Sequence, residues 1–450
     1  MSVTRTLADE IAGTRYDGVP AAAMARIERL LIDHIGVAVM GQRLTGAAMA
    51  AAAKAVDGAR DAVILGDGAR VSAESAAAIN AQVCRNTDFE ETGPGLHAGP
   101  VIAHTAFAVG QQVRASGADV LAAMAIGYEL NARFFCARRD GDIRHLNVCV
   151  AAVAAKLLGQ DASAIDRSLS LAWEFPSNTL FVAAKTPKRV SRMGLGNYWT
   201  CRNGIQAATL VQHGFDQIPG ELDLLGDLYD LGGLTASPQP YAYTAGELML
   251  KPWPASRLCH GVIQMVLGIM ARENLTADDI EGIDCGLADI YLVPHQTDPA
   301  PDDYWQAIYS VEWNVAMAIL GLPAGPAWTA PEVLADPAAR ALAARITAHE
   351  LPEASAAFRA RNWQVLPNTV TMRAGGQTFD DRIVYRDVLG SPGNPMPDAF
   401  FDDKFLRLAG MALEPAAARA ALAALKDVAA CSDVNDLAAH FPSAPGSTCP

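Results

Sequence analysis

Lys251-Pro252-Trp253-Pro254 (KPWP) is the stretch at which the pattern of this chain changes. Proline lacks a backbone N–H and clashes with the preceding turn, so this pair of prolines prevents a helix from continuing. Before the stretch, apolar residues recur at helical spacing in segments rich in alanine, leucine and valine, as from Ala21 to Met40. Such lightly charged helices bury most of their surface against one another, and a helical domain is predicted.

After the break, the pattern becomes that of an α+β module. A helical segment at Gly261–Glu273 precedes strand-like alternation at Ile280–Leu292, and strand-like segments follow at Thr369–Arg373 and Asp381–Val384. A second group of glycines and prolines ends the module, and alanine-rich helices return. We therefore predict a mainly α fold with an inserted α+β domain. The predicted divisions are residues 1–250, 251–396 and 397–450.

Composition narrows the class of protein. The chain has 450 residues, of which 51% are hydrophobic, and its net charge is −14 from 35 basic and 49 acidic side chains. An acidic chain without a basic cluster argues against a nucleic-acid partner. The N-terminus has no apolar signal core, and we expect neither export nor a membrane span. The eight cysteines include no Cys-x-x-Cys pair. They fit reduced thiols, and we expect a cytoplasmic protein.

Signatures of cofactor binding are missing from the sequence. There is no dinucleotide-binding G-x-G-x-x-G after a strand, no phosphate-binding Walker loop, no H-E-x-x-H and no G-x-S-x-G elbow. No paired metal-ligand spacing stands out either. We therefore expect neither a metal nor an organic cofactor, and any chemistry would be carried out by side chains alone.

The loop NTDFEETGPGLHAGP (residues 86–100) interrupts the helical part with acids, threonines and a histidine. Asp88, Thr92 and His97 lie there on a connection between predicted buried helices, a usual position for catalytic groups. Ordinary capping of helix ends explains Asp88 and Thr92 equally well.

Two further histidines are candidates. His145 begins a helix and fits either a functional or a capping or core role, whereas His260, close to Arg257, follows the proline break, where a domain junction favours a cleft.

Several segments in order resemble the MmgE/PrpD family, which includes 2-methylcitrate dehydratase, cis-aconitate decarboxylase and iminodisuccinate epimerase. They are LADEIAGTRYDGVP with RIERLLIDHIGVAVMG, then AAAINAQVCRNTDFEET, HAGPVIAHTAFAVGQQVRASGADVLAAMAIGYELNARF, CRNGIQAATLVQHGF, KPWPASRLCHGVIQMVLGI and GSPGNPMPDAFFDDKF. The resemblance implies one helical domain made from both chain ends, an α+β lid, a cofactor-free homodimer and an active site between the domains. It assigns site roles to Asp88, Thr92, His97, His145, Lys251 and His260.

Two positions depart from the family pattern. Met193, next to Arg192, stands where the family often has a lysine, and Trp313 stands where the decarboxylases have a tyrosine. Arg192, Lys185 or Lys188 would have to supply the missing charge, since arginine binds carboxylates at two points. If the site has lost that charge, its substrate should carry fewer carboxylates or a bulkier apolar group, with Met193 and an exposed tryptophan face offering apolar contact.

The family's reactions move a proton at a carbon next to a carboxylate. A histidine with a pKa near about 6.5 can take and return that proton, while Lys251, Arg257 and Thr92 would stabilise the developing charge and Asp88 would orient a histidine. We expect a hydro-lyase like 2-methylcitrate dehydratase, acting on a small anionic acid. A decarboxylase or an epimerase is an alternative within enzymes, and a non-catalytic acid-binding protein is an alternative from another class.

Overall fold

The computed structural model describes residues 2–93, 97–139, 145–176, 195–237 and 239–442. Among these residues, the part before the proline break consists of helices and connecting loops with one small hairpin, and the predicted mainly α fold is confirmed. Its long helices are α1 (Val3–Gly13), α2 (Ala21–Thr45), α3 (Ala47–Val56), α4 (Ala73–Arg85), α5 (Gly99–Val113), α6 (Gly117–Ala137), α7 (His145–Leu157), α8 (Ala162–Glu174) and α9 (Gly196–Gln212). Two short helices follow, α10 (Leu231–Thr235) and α11 (Ala242–Gly246), and the hairpin pairs β1 (Ala62–Val63) with β2 (Arg70–Val71).

These helices share one hydrophobic core with the C-terminal segment of the chain. Its buried side chains run from Val3 to Leu250 and resume from Met396 to Phe441. The returning helices are α18 (Asp398–Ala409), α19 (Pro415–Lys426) and α20 (Asn435–Ala438). At Gly36 of α2, a Cβ atom would lie only 3.1 Å from the Phe405 ring, so glycine there lets α18 approach closely.

A second core lies between Met249 and Val388 and belongs to the α+β part. Its sheet has the order β4-β3-β5-β6, in which β3 and β4 are parallel and the other neighbours are antiparallel. The strands are β3 (Ile280–Leu287), β4 (Ile346–Glu350), β5 (Pro367–Ala374) and β6 (Gln377–Val384). The helices are α12 (Cys259–Glu273), α13 (Tyr304–Ala307), α14 (Val311–Ile319), α15 (Pro331–Leu334), α16 (Pro337–Ala343) and α17 (Pro352–Arg359).

The predicted strand at Ile280–Leu292 is too long at its C-terminal end. The strand stops at Leu287, and Asp289–Tyr291 form a turn of 3₁₀-helix. The Asp289 amide donates a hydrogen bond to Ser355 Oγ at 2.9 Å, so a side chain from α17 takes the place of a strand partner there.

Helix α6 is long and apolar enough to cross a bilayer by length and composition alone. The apolar window is 94% buried inside the fold, as is usual for a helix at the centre of a core. Ser116 caps its N-terminus by accepting a hydrogen bond from the Asp119 amide.

Candidate active site

The polar loop joins the two cores. It begins where α4 ends at Arg85 and leads to α5, which starts at Gly99 with a proline in its first turn. Thr92 pairs with Met249 through two backbone hydrogen bonds: the Thr92 amide donates to Met249 O at 2.9 Å, and the Met249 amide donates to Thr92 O at 2.7 Å. This bridge places the loop beside the segment that runs into KPWP.

Asp88 has a backbone φ of 48°, in the left-handed region that residues other than glycine seldom adopt. Its carboxylate accepts a hydrogen bond from Arg85 Nη1 at 2.8 Å and lies 3.0 Å from Lys251 Nζ. Lys251 is fully buried and also donates to the main-chain oxygen of Asp88 at 2.7 Å. The unusual backbone conformation is therefore held by charges on both sides, an arrangement typical of functional sites.

Arg257 joins the α+β part to the same loop. Its Nε donates to Thr92 Oγ1 at 2.7 Å, and its Nη2 donates to Gly93 O at 2.6 Å. The guanidinium also stacks over the Trp363 ring, 4.7 Å from the centroid. Thr92 and Arg257, which are 165 residues apart, thus meet directly.

His97 lies next to an acid that the sequence reasoning did not select. Its Nδ1 is 2.7 Å from Glu90 Oε1, and the same oxygen accepts a hydrogen bond from Arg85 at 3.0 Å. Burial, together with the positive charges of Arg85 and Lys251, lowers the pKa of His97 well below its usual value. The imidazole is therefore neutral at pH 7, and the side chain remains 24% exposed. This is the form that can accept a proton.

His260 is the second neutral histidine beside the charged group. It is fully buried, its ring stacks on Trp253 at 5.8 Å, and its Nε2 lies 3.1 Å from Ala255 O. A proton on Nε2 leaves the lone pair on Nδ1, which has no hydrogen-bond partner within the described ranges. Burial, followed by the charge of Lys251, lowers the pKa of His260 well below its usual value.

His145 is the first residue of α7 and is fully buried. Its ring stacks on Phe134 at 5.5 Å, and its Nε2 is 3.3 Å from Asn131 Oδ1. These contacts are to α6, so none of them joins His145 to the group around Asp88.

Trp313 does not have the exposed aromatic face that the sequence analysis expected, and that expectation is wrong. The side chain is fully buried in the second core, and its indole Nε1 donates to Trp328 O at 2.8 Å. The physical reason is that every residue of α14 is buried, since the helix packs against α12, α16 and β4. Arg192 and Met193, with Lys185 and Lys188, lie outside the described residues.

Sequence reasoning missed two tyrosines that approach the loop. Tyr304 Oη donates to Asn86 O at 3.1 Å. Burial raises the pKa of Tyr309, the nearby charge of Arg85 lowers it, and the nearby charge of Asp88 raises it. Tyr309 therefore interacts electrostatically with both Arg85 and Asp88. Tyr309 directly precedes Ser310, the N-cap residue of α14, and no motif in the sequence marks it.

Asp88, Glu90 and His97 lie close enough together to be considered as metal ligands. Arg85 and Lys251, however, already neutralise the two carboxylates at distances of 2.8 to 3.0 Å. A divalent cation would be repelled by both, so this group fits an anionic ligand better than a metal.

A buried lysine on α18 connects two segments of the site. Lys404 of α18 lies 2.6 Å from Asp33 Oδ1 and donates to Phe89 O at 3.1 Å and to Lys251 O at 2.9 Å. Its ammonium group also lies 4.0 Å from the centre of the Phe89 ring. One side chain thus holds the polar loop and the start of KPWP together.

The fold and the site together define a class of protein. It is mainly helical with an inserted α+β part, and neutral histidines lie among cations and carboxylates where the two cores meet. Residues 5–222 match the MmgE/PrpD N-terminal domain, and residues 253–429 match the MmgE/PrpD C-terminal domain. The chain therefore belongs to the MmgE/PrpD family, whose members are generally lyase-type enzymes. A search of curated proteins returned no match to this chain.

Proposed function

We propose that this chain is a hydro-lyase that removes water from a small hydroxy acid, in the manner of 2-methylcitrate dehydratase. The observation that carries the proposal is the placing of a neutral, partly exposed His97 beside Arg85, Lys251 and Arg257. A base next to fixed positive charges is what abstraction of a proton beside a carboxylate requires.

In the proposed reaction, His97 takes the proton from the carbon next to the substrate carboxylate. The electron pair of that C–H bond forms the new C=C bond, and the C–O bond of the neighbouring carbon breaks. The leaving hydroxide takes a proton from an acid in the site and departs as water. Arg257 and Thr92, joined at 2.7 Å, are placed to bind the substrate carboxylate while charge develops on it.

The other site residues have supporting roles in this proposal. Asp88 fixes Lys251 and Arg85 in position, and His260, buried near Lys251, is a second acid–base group. His145, the first residue of α7, is proposed as a further catalytic residue. The active form is proposed to be a cytoplasmic homodimer that uses neither nucleic acid, nor a membrane, nor a catalytic cofactor.

A decarboxylase or an epimerase would use the same first proton transfer, and the products distinguish the three. A panel of di- and tricarboxylic acids should be ranked by thermal shift, since a bound ligand raises apparent stability. Each binder is then followed for ultraviolet absorbance of a new double bond, for released CO₂ and for optical rotation. New absorbance without CO₂ supports the hydro-lyase, and either of the other signals alone contradicts it.

A non-catalytic acid-binding protein would show a thermal shift with none of these signals. The matched control for a His97 variant is His349→Ala, because His349 is half-exposed on β4 and lies 3.0 Å from Asp284. This variant should bind and turn over the acid like the wild type.

A further inference from the structure

Three side chains with metal-binding atoms meet inside the helical core, beneath the polar loop. His34 lies on α2, Cys84 on α4 and His104 on α5, and their exposed fractions are 0%, 0% and 1%. The three helices pack against one another. A site built on packed helices holds its ligands in position better than a site built on loops.

The distances among the three fit one small cation. Their candidate ligand atoms all lie within 4.8 Å of one another, and His34 Nδ1 is 3.4 Å from Cys84 Sγ. At a tetrahedral zinc ion, with bonds of about 2.3 Å to sulfur and about 2.0 Å to nitrogen, those two atoms would be about 3.5 Å apart. The rings of His34 and His104 are nearly perpendicular, at 77°, and do not stack on each other.

The remaining nitrogen of His34 faces oxygen atoms. Nε2 lies 2.8 Å from Glu91 Oε2 and 3.2 Å from Tyr128 Oη. A proton on Nε2 leaves the Nδ1 lone pair directed at Cys84, which is the carboxylate–histidine arrangement found behind metal ions. Room for Glu91 depends on Gly99, where a Cβ atom would lie 2.1 Å from the carboxylate.

His104 gives independent support. Neither of its ring nitrogens has a hydrogen-bond partner among the described residues, although the side chain is buried. Leaving buried polar atoms without partners is energetically costly, so such atoms usually have a bound water or ion. Coordination of a metal through one nitrogen would account for this histidine.

We propose that His34, Cys84 and His104 bind a zinc-class divalent cation that links α2, α4 and α5 beneath the catalytic loop. Two imidazoles and a thiolate suit zinc or cobalt, whereas magnesium and calcium require oxygen ligands. The charges balance, since the thiolate and the Glu91 carboxylate together offset the two positive charges of the ion. A water molecule completes the coordination, and the ion takes no part in proton transfer at His97.

The test measures metal content and ligation, and is therefore independent of the proposed reaction. Because the site is closed, the protein is produced in minimal medium with Co²⁺ in place of Zn²⁺, so that the ion enters during folding. We expect about one cobalt ion per chain and a near-ultraviolet band from the bond between the Cys84 thiolate and cobalt. Wild-type protein that contains no cobalt or zinc after purification would overturn the proposal.

Two cysteine variants make the assignment specific. Cys84→Ser should abolish the thiolate–cobalt band and reduce the bound metal at least tenfold. Cys201→Ser is the matched control, since Cys201 is equally buried and lies 3.7 Å from Thr105 Oγ1, with no histidine among its described contacts. A band that persists in Cys84→Ser would contradict the assignment, and the wild-type spectrum decides the question if that variant does not fold.

Discussion

Lys251 Nζ lies 3.0 Å from the carboxylate of Asp88 and 2.7 Å from the main-chain oxygen of the same residue. One buried cation therefore holds both the side chain and the left-handed backbone of a residue on another segment. Because a buried charge without a partner is costly, the two residues depend on each other for stability and for the shape of the site.

Lys251→Met should therefore lose both activity and stability. Removing one partner of a buried pair typically costs about 3–5 kcal/mol, and turnover should fall about 10²-fold as Asp88 leaves its position. Kinetics and urea denaturation measure the two effects. The control is Lys54→Met, which removes an exposed pair with Asp67 and should cost less than about 1 kcal/mol. Equal losses in both variants would contradict a special role for Lys251.

As the pH is lowered, kcat/KM should begin to fall only below pH 6.5. Burial and nearby cations lower the pKa of His97, so its base form persists to a lower pH than in a free histidine. In kcat/KM against pH, we expect a plateau through pH 6.5 and a fall at lower pH. A limb centred at or above pH 6.5 would show that His97 is not the base that controls the rate.

The free energy of unfolding should depend on pH through His97 and His260, and the direction of this dependence follows from their pKa values. The folded-state pKa values of His97 and His260 are lowered, so below about pH 6.5 the unfolded chain binds more protons than the folded one. The free energy of unfolding should therefore decrease as pH falls from 6.5 toward the folded-state values. His260→Gln should make the urea midpoint less dependent on pH across this window, and an unchanged dependence would argue against the assignment.

His97→Ala and His145→Gln should each reduce turnover by about 10²-fold or more, the usual effect of losing a general acid–base group. Circular dichroism should show that both variants remain folded. If only His97→Ala loses activity, then His145 has a packing role against Phe134 of α6. Near wild-type rates in both would mean that the family's catalytic residues do not carry over to this chain.

Substitution of Tyr309 should affect mainly activity, whereas substitution of Trp313 should affect mainly stability. Tyr309→Phe keeps the ring and removes a hydroxyl that interacts electrostatically with Arg85 and Asp88, so we expect turnover to fall with little change in unfolding. Trp313→Ala should instead cost about 3–5 kcal/mol, since it empties a buried site and leaves Trp328 O without its donor. Full activity in Tyr309→Phe would exclude the hydroxyl from the reaction.

Sequence pattern alone determined the parts of this protein that depend on local interactions. The prolines of KPWP end the helical part because a proline cannot continue a helix, and the spacing of apolar residues predicted the long helices and the β5–β6 segments. The composition of the loop also made Asp88, Thr92 and His97 candidates, because a dense polar stretch between apolar helices is visible without a structure. What these residues contact was not visible.

Only the tertiary structure decided which candidates meet. Arg257 reaches Thr92 across 165 residues, and Lys404 reaches Phe89 across 315. The family resemblance also selected Trp313, whereas packing buried that side chain. Likewise, His34, Cys84 and His104 come from three separate helices and form no motif along the chain. Contacts of this kind depend on how the helices pack, and packing follows from burial of the whole apolar surface.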